Sequence, residues 1–294
     1  MLFRSRLNEI LENLTEFGFT AKQLTAALNS VQAPEPFTSK SLEGFLYPAH
    51  YSFNKGISPE EVFASMVGKF TSTMADVSWR YRTFTPYELL TIASLVQTEG
   101  TPDVFGKVAR VIYNRLDKGM ALQFDSTVHY ALNRRGEIRV SIEDTKVKSL
   151  YNTFMRRGLP PGPIGSPTRA AIDATLQPPA GDWLYFVTVK PRDTRFTSSY
   201  DQFLEWNSAE FFYKMYEQEC DGGIVTFTST HPKWSFAKIN EYGVVEEVAE
   251  KNPISDKATV GVYFWHKGSD YVKYADKMME DDADRKSTRL NSSH

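Results

Sequence analysis

The sequence has a single cysteine, Cys220, so no disulfide can form within the chain. That suits a reducing compartment, or an exported protein that manages without bridges. No apolar run reaches the ~18 residues at which a segment reads as a membrane-spanning helix. Residues 1–30 have no signal-peptide pattern: Leu2, Leu7, Ile10, Leu11 and Leu14 alternate with charges, as in an amphipathic helix. An excess of one charge is also missing. A net charge of −2 gives no strong field to recruit nucleic acid or an anionic membrane surface. The histidines (His50, His129, His231, His266 and His294) include no pair at metal-ligand spacing. Neither a phosphate-binding glycine loop nor a Gly-x-Ser-x-Gly elbow occurs. No metal or cofactor is therefore expected.

What is present suits one large or two small globular domains: 294 residues, 41% hydrophobic and 24% charged. Aromatic residues, at 14%, can fill cores or line sugar-binding grooves. Leu7–Leu14 and Ala21–Leu28 read as short helices, followed by a polar stretch with Pro34 and Pro36. Ser58-Pro59-Glu60-Glu61 and Thr85-Pro86-Tyr87-Glu88 are helix starts, each with a capping residue, a first-turn proline and a reciprocating glutamate. The second helix should run from Pro86 to Glu99 and stop at Gly100. A third fits Val104 to Lys118. Residues 158–167 hold four prolines and three glycines and must form an irregular loop. A short helix over Pro167–Leu176 and a strand over Trp183–Val189 follow. Helices and strands alternate only loosely, which favours an α+β fold.

Glu99 is the candidate catalytic residue. At 100° per residue, Ile92 and Leu95 lie within about 40° of it around the helix, which puts it on the apolar stripe. Desolvation there would disfavour the charged form and let the carboxyl hold a proton near neutral pH. Gln97 points away from Ile92 and is expected to be exposed. Asn114 and Arg115 interrupt the third helix near its end. Gln123, Asp125 and Thr127 alternate with Leu122, Phe124 and Val128; an extended segment would put the three polar side chains on one face, suited to sugar hydroxyls. Tyr151 and Asn152, ahead of the Pro/Gly loop, add polar groups.

These segments, in order, resemble the endolytic murein transglycosylases of the YceG-like family. The resemblance is carried by Leu42-Glu43-Gly44-Phe45-Leu46-Tyr47-Pro48 with Tyr51, by Ala93-Ser94-Leu95-Val96-Gln97-Thr98-Glu99, and by Val111-Ile112-Tyr113-Asn114-Arg115-Leu116 with Leu122-Gln123-Phe124-Asp125-Ser126-Thr127-Val128. Tyr151-Asn152-Thr153 ahead of Gly158–Ile164, and Leu184-Tyr185-Phe186-Val187, complete it. About 160 of the 294 residues are covered. The resemblance implies a lyase acting on peptidoglycan glycan strands without water, with Glu99 as acid and base. Gln123, Asp125, Thr127, Asn114, Tyr151 and Asn152 would bind substrate, and cell-wall synthases would be partners. It also implies a membrane anchor with the catalytic domain on the outer face, and this chain is expected to lack that anchor. Many relatives carry Glu at the position of Gln97. The segment around Arg195 and Phe203 lacks two histidines usual in the family.

The expected organisation is a remnant of a LysM-like module over 1–41 and a catalytic domain over 42–200. Residues 201–283 resemble a fragment of an α/β sugar-nucleotide nucleotidyltransferase without its nucleotide-binding half, so the strands over 223–264 are expected to lack their sheet partners. Residues 284–294 resemble translated sequencing adapter, so the tail is expected to be an assembly artefact. Two other functions compete with lytic cleavage: a non-catalytic peptidoglycan-binding module, and the nucleotidyltransferase fragment.

Overall fold

The computed structural model describes residues 6–39, 41–134, 140–141, 143–217, 220–240 and 244–277. The 284–294 tail lies outside them. The chain divides into two compact units, the first formed by Met1–Phe186 with Thr194–Phe203, the second by Val187–Asp193 with Leu204–His294.

In the first unit the order is α1 (Leu7–Glu16), α2 (Ala21–Ser30), α3 (Pro59–Thr73), α4 (Pro86–Glu99), α5 (Phe105–Asp117), α6 (Asp125–Ala131) and α7 (Arg169–Leu176). The two capping boxes form as the sequence indicates: the Ser58 and Thr85 hydroxyls accept from the Glu61 and Glu88 amides, and each glutamate reaches back to its cap. Helix α4 lies between two cores. Leu90 and Ala93 join a cluster built by α1, α2, α3 and residues 37–46. Ile92, Leu95 and Val96 join a second cluster with α5, Leu122, Phe124, Ile164 and Ala171. A helix with apolar neighbours all round is a core helix, and Leu89 through Gln97 are all buried.

Ile10, Leu14, Leu24 and Ala27 share the first core with Phe45, Phe63 and Leu90. Helices α1 and α2 are thus built into the same unit as residues 42–186, and no boundary falls at residue 41. Gly44, at φ +91°, fits against the Pro/Gly loop, where an added Cβ would lie 2.7 Å from Pro163 Cγ. Two of the sequence segments therefore meet at a contact that only glycine permits.

Strands β1 (Tyr185–Lys190) and β2 (Asp193–Thr197) form a two-stranded sheet, and α8 (Tyr200–Glu217) follows. Neither β2 nor α8 is expected from the sequence pattern. In the second unit β3 (Gly222–Thr228), β4 (Ser235–Ile239), β5 (Val245–Glu250) and β6 (Lys257–Trp265) form a four-stranded sheet in the order β3-β6-β4-β5, antiparallel throughout. Phe236, Ala237 and Ala258 are its buried centre. A helix over residues 268–277 follows. The four strands pair with one another, contrary to the expectation that they would lack partners. Among the described residues no helix is long and apolar enough to cross a membrane.

Candidate active site at the end of α4

Glu99 is the last residue of α4, and Gly100 ends the helix in extended geometry. A side chain at Gly100 would press on Phe105 and Val108, so glycine lets α5 start close to the end of α4. Glu99 is partly exposed whereas Leu89 through Gln97 are buried. Its access to solvent comes from its place at the helix end, not from its rotational phase. The Ser126 hydroxyl donates a hydrogen bond to Glu99 Oε1. Ser126 lies in the first turn of α6, so this short helix is brought directly onto the carboxyl.

That helix replaces the expected extended segment. Gln123 has φ +54°, its amide donates to the Thr153 carbonyl at 3.1 Å, and the chain turns into α6 at Asp125. A non-glycine residue in the left-handed region costs about 1 kcal/mol. Gln123, Asp125 and Thr127 therefore do not share a strand face. Gln123 is exposed, and Asp125 is partly exposed beside Ser126, where the helix N-terminus favours an acid. Thr127 is wholly buried, donating to the Phe124 carbonyl at 2.6 Å and paired with the Thr153 hydroxyl at 2.9 Å. Asn152 is wholly buried too. Its amide donates to the Thr145 and Val147 carbonyls, both at 2.9 Å, and its Oδ1 accepts from the Phe154 amide. Asn114 spends its amide on the Gly181 and Trp183 carbonyls at 3.1 and 2.8 Å. Tyr151 is partly buried, its ring 4.7 Å from that of Tyr130. The geometry brings Asp125 near Glu99 through the neighbouring Ser126, and it gives Thr127, Asn152 and Asn114 to the framework.

Gln97 also departs from expectation. It is 6% exposed, and its Oε1 accepts from both the amide (3.0 Å) and the hydroxyl (2.7 Å) of Thr168, the N-cap of α7. The phase argument assumed one buried face, but α4 is buried on all sides. Gln97→Ala should lower stability by about 1–2 kcal/mol, because two part-buried donors of Thr168 lose their acceptor. Turnover by the folded fraction should stay within a few-fold. Urea unfolding and initial rates measured on one preparation check both; lost turnover at unchanged stability would place Gln97 in the chemistry instead.

Two residues to which the sequence assigns no role complete the surroundings. Arg115 is buried, its guanidinium donating to the carbonyls of Leu184 (2.7 Å), Leu122 (2.7 Å) and Ala121 (3.2 Å). It ties the chain before α6 to the chain before β1. Glu43 is 5% exposed, with both oxygens within 3.2 Å of the Leu7 amide and Oε2 accepting from the Tyr130 hydroxyl at 3.1 Å. Burial pushes its carboxyl up to about 7, against the opposing pull of the Leu7 amide, Tyr130, Arg6 and the Gly44 amide. A carboxyl raised in the folded state stabilises fully below the unfolded value near 4.5, and that contribution is lost as pH rises through 7. The stability of wild type relative to Glu43→Gln should therefore fall by about 3 kcal/mol between pH 4.5 and pH 8. Taking the difference cancels the other titrating groups, and a flat difference would refute the assignment.

Among the described residues no group of three or more His, Cys, Asp or Glu could hold a metal ion. A cavity of about 670 Å³, lined by Glu9, Phe17, His50, Tyr51 and Phe53 among others, contains none of the candidate residues.

Helix α4 thus ends at Glu99 against Ser126 of α6, and the Pro/Gly loop is tied to it further back, where the Ile164 amide donates to Ser94 Oγ at 3.1 Å. Residues 5–208 match the model of the YceG-like family, and the chain belongs to that family. Over 162 residues it is 36% identical to the endolytic murein transglycosylase of Bacillus subtilis, an alignment covering 54% of this chain and 45% of that protein. With the endolytic murein transglycosylase of Streptococcus pneumoniae (strain D39) it shares 34% identity over 196 residues, 60% of this chain and 35% of the relative. The chain thus spans less than half the length of these curated relatives. A crystal structure of a yceG-like protein from Listeria monocytogenes superposes with a TM-score of 0.60 at 27% identity, covering 68% of this chain and 73% of that one.

Proposed function

We propose that the first unit is a peptidoglycan lytic transglycosylase with Glu99 as its single acid and base. The observation that carries the reading is the partly exposed Glu99 carboxyl at the end of α4, oriented by Ser126, on a chain of the YceG-like family. Protonated Glu99 donates to the oxygen of the β-1,4 bond between N-acetylmuramic acid and N-acetylglucosamine, and the C1–O bond breaks. The muramyl C6 hydroxyl then closes onto C1 and returns its proton to Glu99. Bonds and protons balance without water, so no second carboxylate is needed to activate one, unlike a two-carboxylate glycosidase. Asp125, beside Ser126, with Gln123 and Tyr151 are the remaining candidates for contact with sugar. On this reading the partners are glycan strands and the synthases that make them, and the reaction takes place on the outer face of the cell membrane. Purified glycan strands incubated with the protein should yield 1,6-anhydro ends by mass spectrometry. Reducing ends, heavier by one water, would make it a hydrolase; intact strands would favour a non-catalytic binding module.

Residues 209–294 contribute nothing to this reaction. The family match ends at residue 208, and the strands β3 to β6 pair among themselves. A cut at Tyr200 would remove the first residue of α8 together with Phe203, whose ring stacks on that of Tyr185 at 5.4 Å. A chain ending after Ser208 should retain turnover within about two-fold of the whole protein, an effect far below the ~10²-fold loss typical of a damaged catalytic geometry. A collapse of activity or solubility on truncation would assign the second unit a structural role.

A further inference from the structure

Helix α6 has seven residues and no side-chain cap at Phe124. A helix this short does not hold itself; its place is imposed by what surrounds it. At its start the Thr153 hydroxyl accepts from the Phe124 amide at 3.0 Å. At its far end the Tyr130 hydroxyl donates to Glu43 Oε2 at 3.1 Å, and Arg6 Nη1 donates to the carbonyls of His129 (3.3 Å) and Arg134 (3.0 Å). The Arg6 guanidinium also lies over the Tyr130 ring, 5.6 Å from its centre. Glu43 is in turn fixed by the Leu7 amide at the start of α1. Ser126 and Tyr130 are four residues apart on α6, so they share one face, a turn apart. Ser126 touches Glu99; Tyr130 touches Glu43.

We propose that Glu43 is a positioning residue: its buried carboxyl anchors Tyr130 and thereby sets the rotation of α6 that keeps the Ser126 hydroxyl on Glu99. This rests on the reading of Glu99 as the acid and base. An apolar side chain would be cheaper to bury at position 43. It would leave the Tyr130 hydroxyl and the Leu7 amide without an acceptor, and α6 would be free to turn. Hydrogen bonds weaken steeply with angle, and a shift of about 1 Å at a catalytic group can cost ~10²-fold in rate. The anchor needs an acceptor rather than a charge, so glutamine should serve where leucine does not.

The test is a set of variants read in two ways: by turnover, and by the carboxyl carbon-13 resonance of Glu99 at fixed pH, assigned by its loss in Glu99→Gln. Tyr130→Phe cuts the link to Glu43, together with a hydroxyl contact to Tyr151, and leaves both segments packed. It should lower kcat about 10-fold with KM unchanged and move the Glu99 resonance in the same direction as Ser126→Ala does. Glu43→Leu should do the same, and Glu43→Gln should restore both readouts. In the Ser126→Ala background Tyr130→Phe should have no further effect, because both act through one hydrogen bond. Losses that multiply in the double variant, or a Tyr130→Phe protein that melts lower but keeps its kcat and its Glu99 resonance, would overturn the proposal. If wild type makes no anhydro ends, the acid/base reading fails by itself, and the resonance still decides whether Glu43 sets Ser126 on Glu99.

Discussion

Glu99→Gln should abolish the formation of anhydro ends while leaving the fold unchanged. The swap keeps the size of the side chain. It also keeps an oxygen to accept the Ser126 hydroxyl, so α6 retains its contact with the end of α4. What is lost is the proton that leaves and returns in the reaction. Removing general acid and base assistance costs about 10²–10⁴-fold, and here one group supplies both halves of the transfer, which places the expected loss toward the upper end. The measurement is the yield of 1,6-anhydro product from purified glycan strands, with thermal unfolding of the same sample as control. An unchanged melting curve with product at background supports the assignment. Turnover within a few-fold of wild type would falsify it and move the search to Asp125, the nearest acid on α6.

The sequence is most legible where local chemistry decides the structure. The boundaries of α3 and α4 follow from capping boxes at Ser58 and Thr85 that form as written. The strands β3 to β6 follow from runs of β-branched and aromatic residues. The legibility ends where partners distant in the chain decide. The alternation over Leu122–Val128 resembles a strand, yet Thr153 captures the Phe124 amide from 29 residues away and α6 forms instead. The phase argument on α4 put Glu99 on the buried stripe and Gln97 outside it, whereas Gln97 is buried and Glu99 partly exposed. It assumed a single core, and α4 separates two. Helix α8 did leave a signal: Ser199 followed by Gln202 is a capping pattern, and the Gln202 amide donates to the Ser199 hydroxyl at 3.3 Å. Glu43 lies in a segment that carries the family resemblance, but nothing in its neighbours along the chain indicates that Leu7 and Tyr130 converge on it.

The other large effect is expected at a residue first considered for substrate binding. Asn152→Ala should destabilise the first unit by about 3–5 kcal/mol, three hydrogen bonds being lost at once inside the protein. The Asn152 side chain is wholly buried. Its two donors hold the carbonyls of Thr145 and Val147, and its oxygen holds the amide of Phe154. Alanine removes all three of these part-buried hydrogen bonds and leaves a small void. The change Asn152→Asp would fare no better, because a carboxylate would face the same two carbonyl oxygens with nothing to donate. The damage should reach the chemistry at one remove. Thr153, the next residue, holds the Gln123 and Phe124 amides and so the start of α6, and α6 carries Ser126. The expected result is a melting temperature lower by roughly 10 °C, with kcat reduced in the fraction still folded and KM little changed. A substrate-binding Asn152 would behave in the opposite way, raising KM at unchanged stability, because its hydrogen bonds would then be made to sugar rather than to the turn that supports α6.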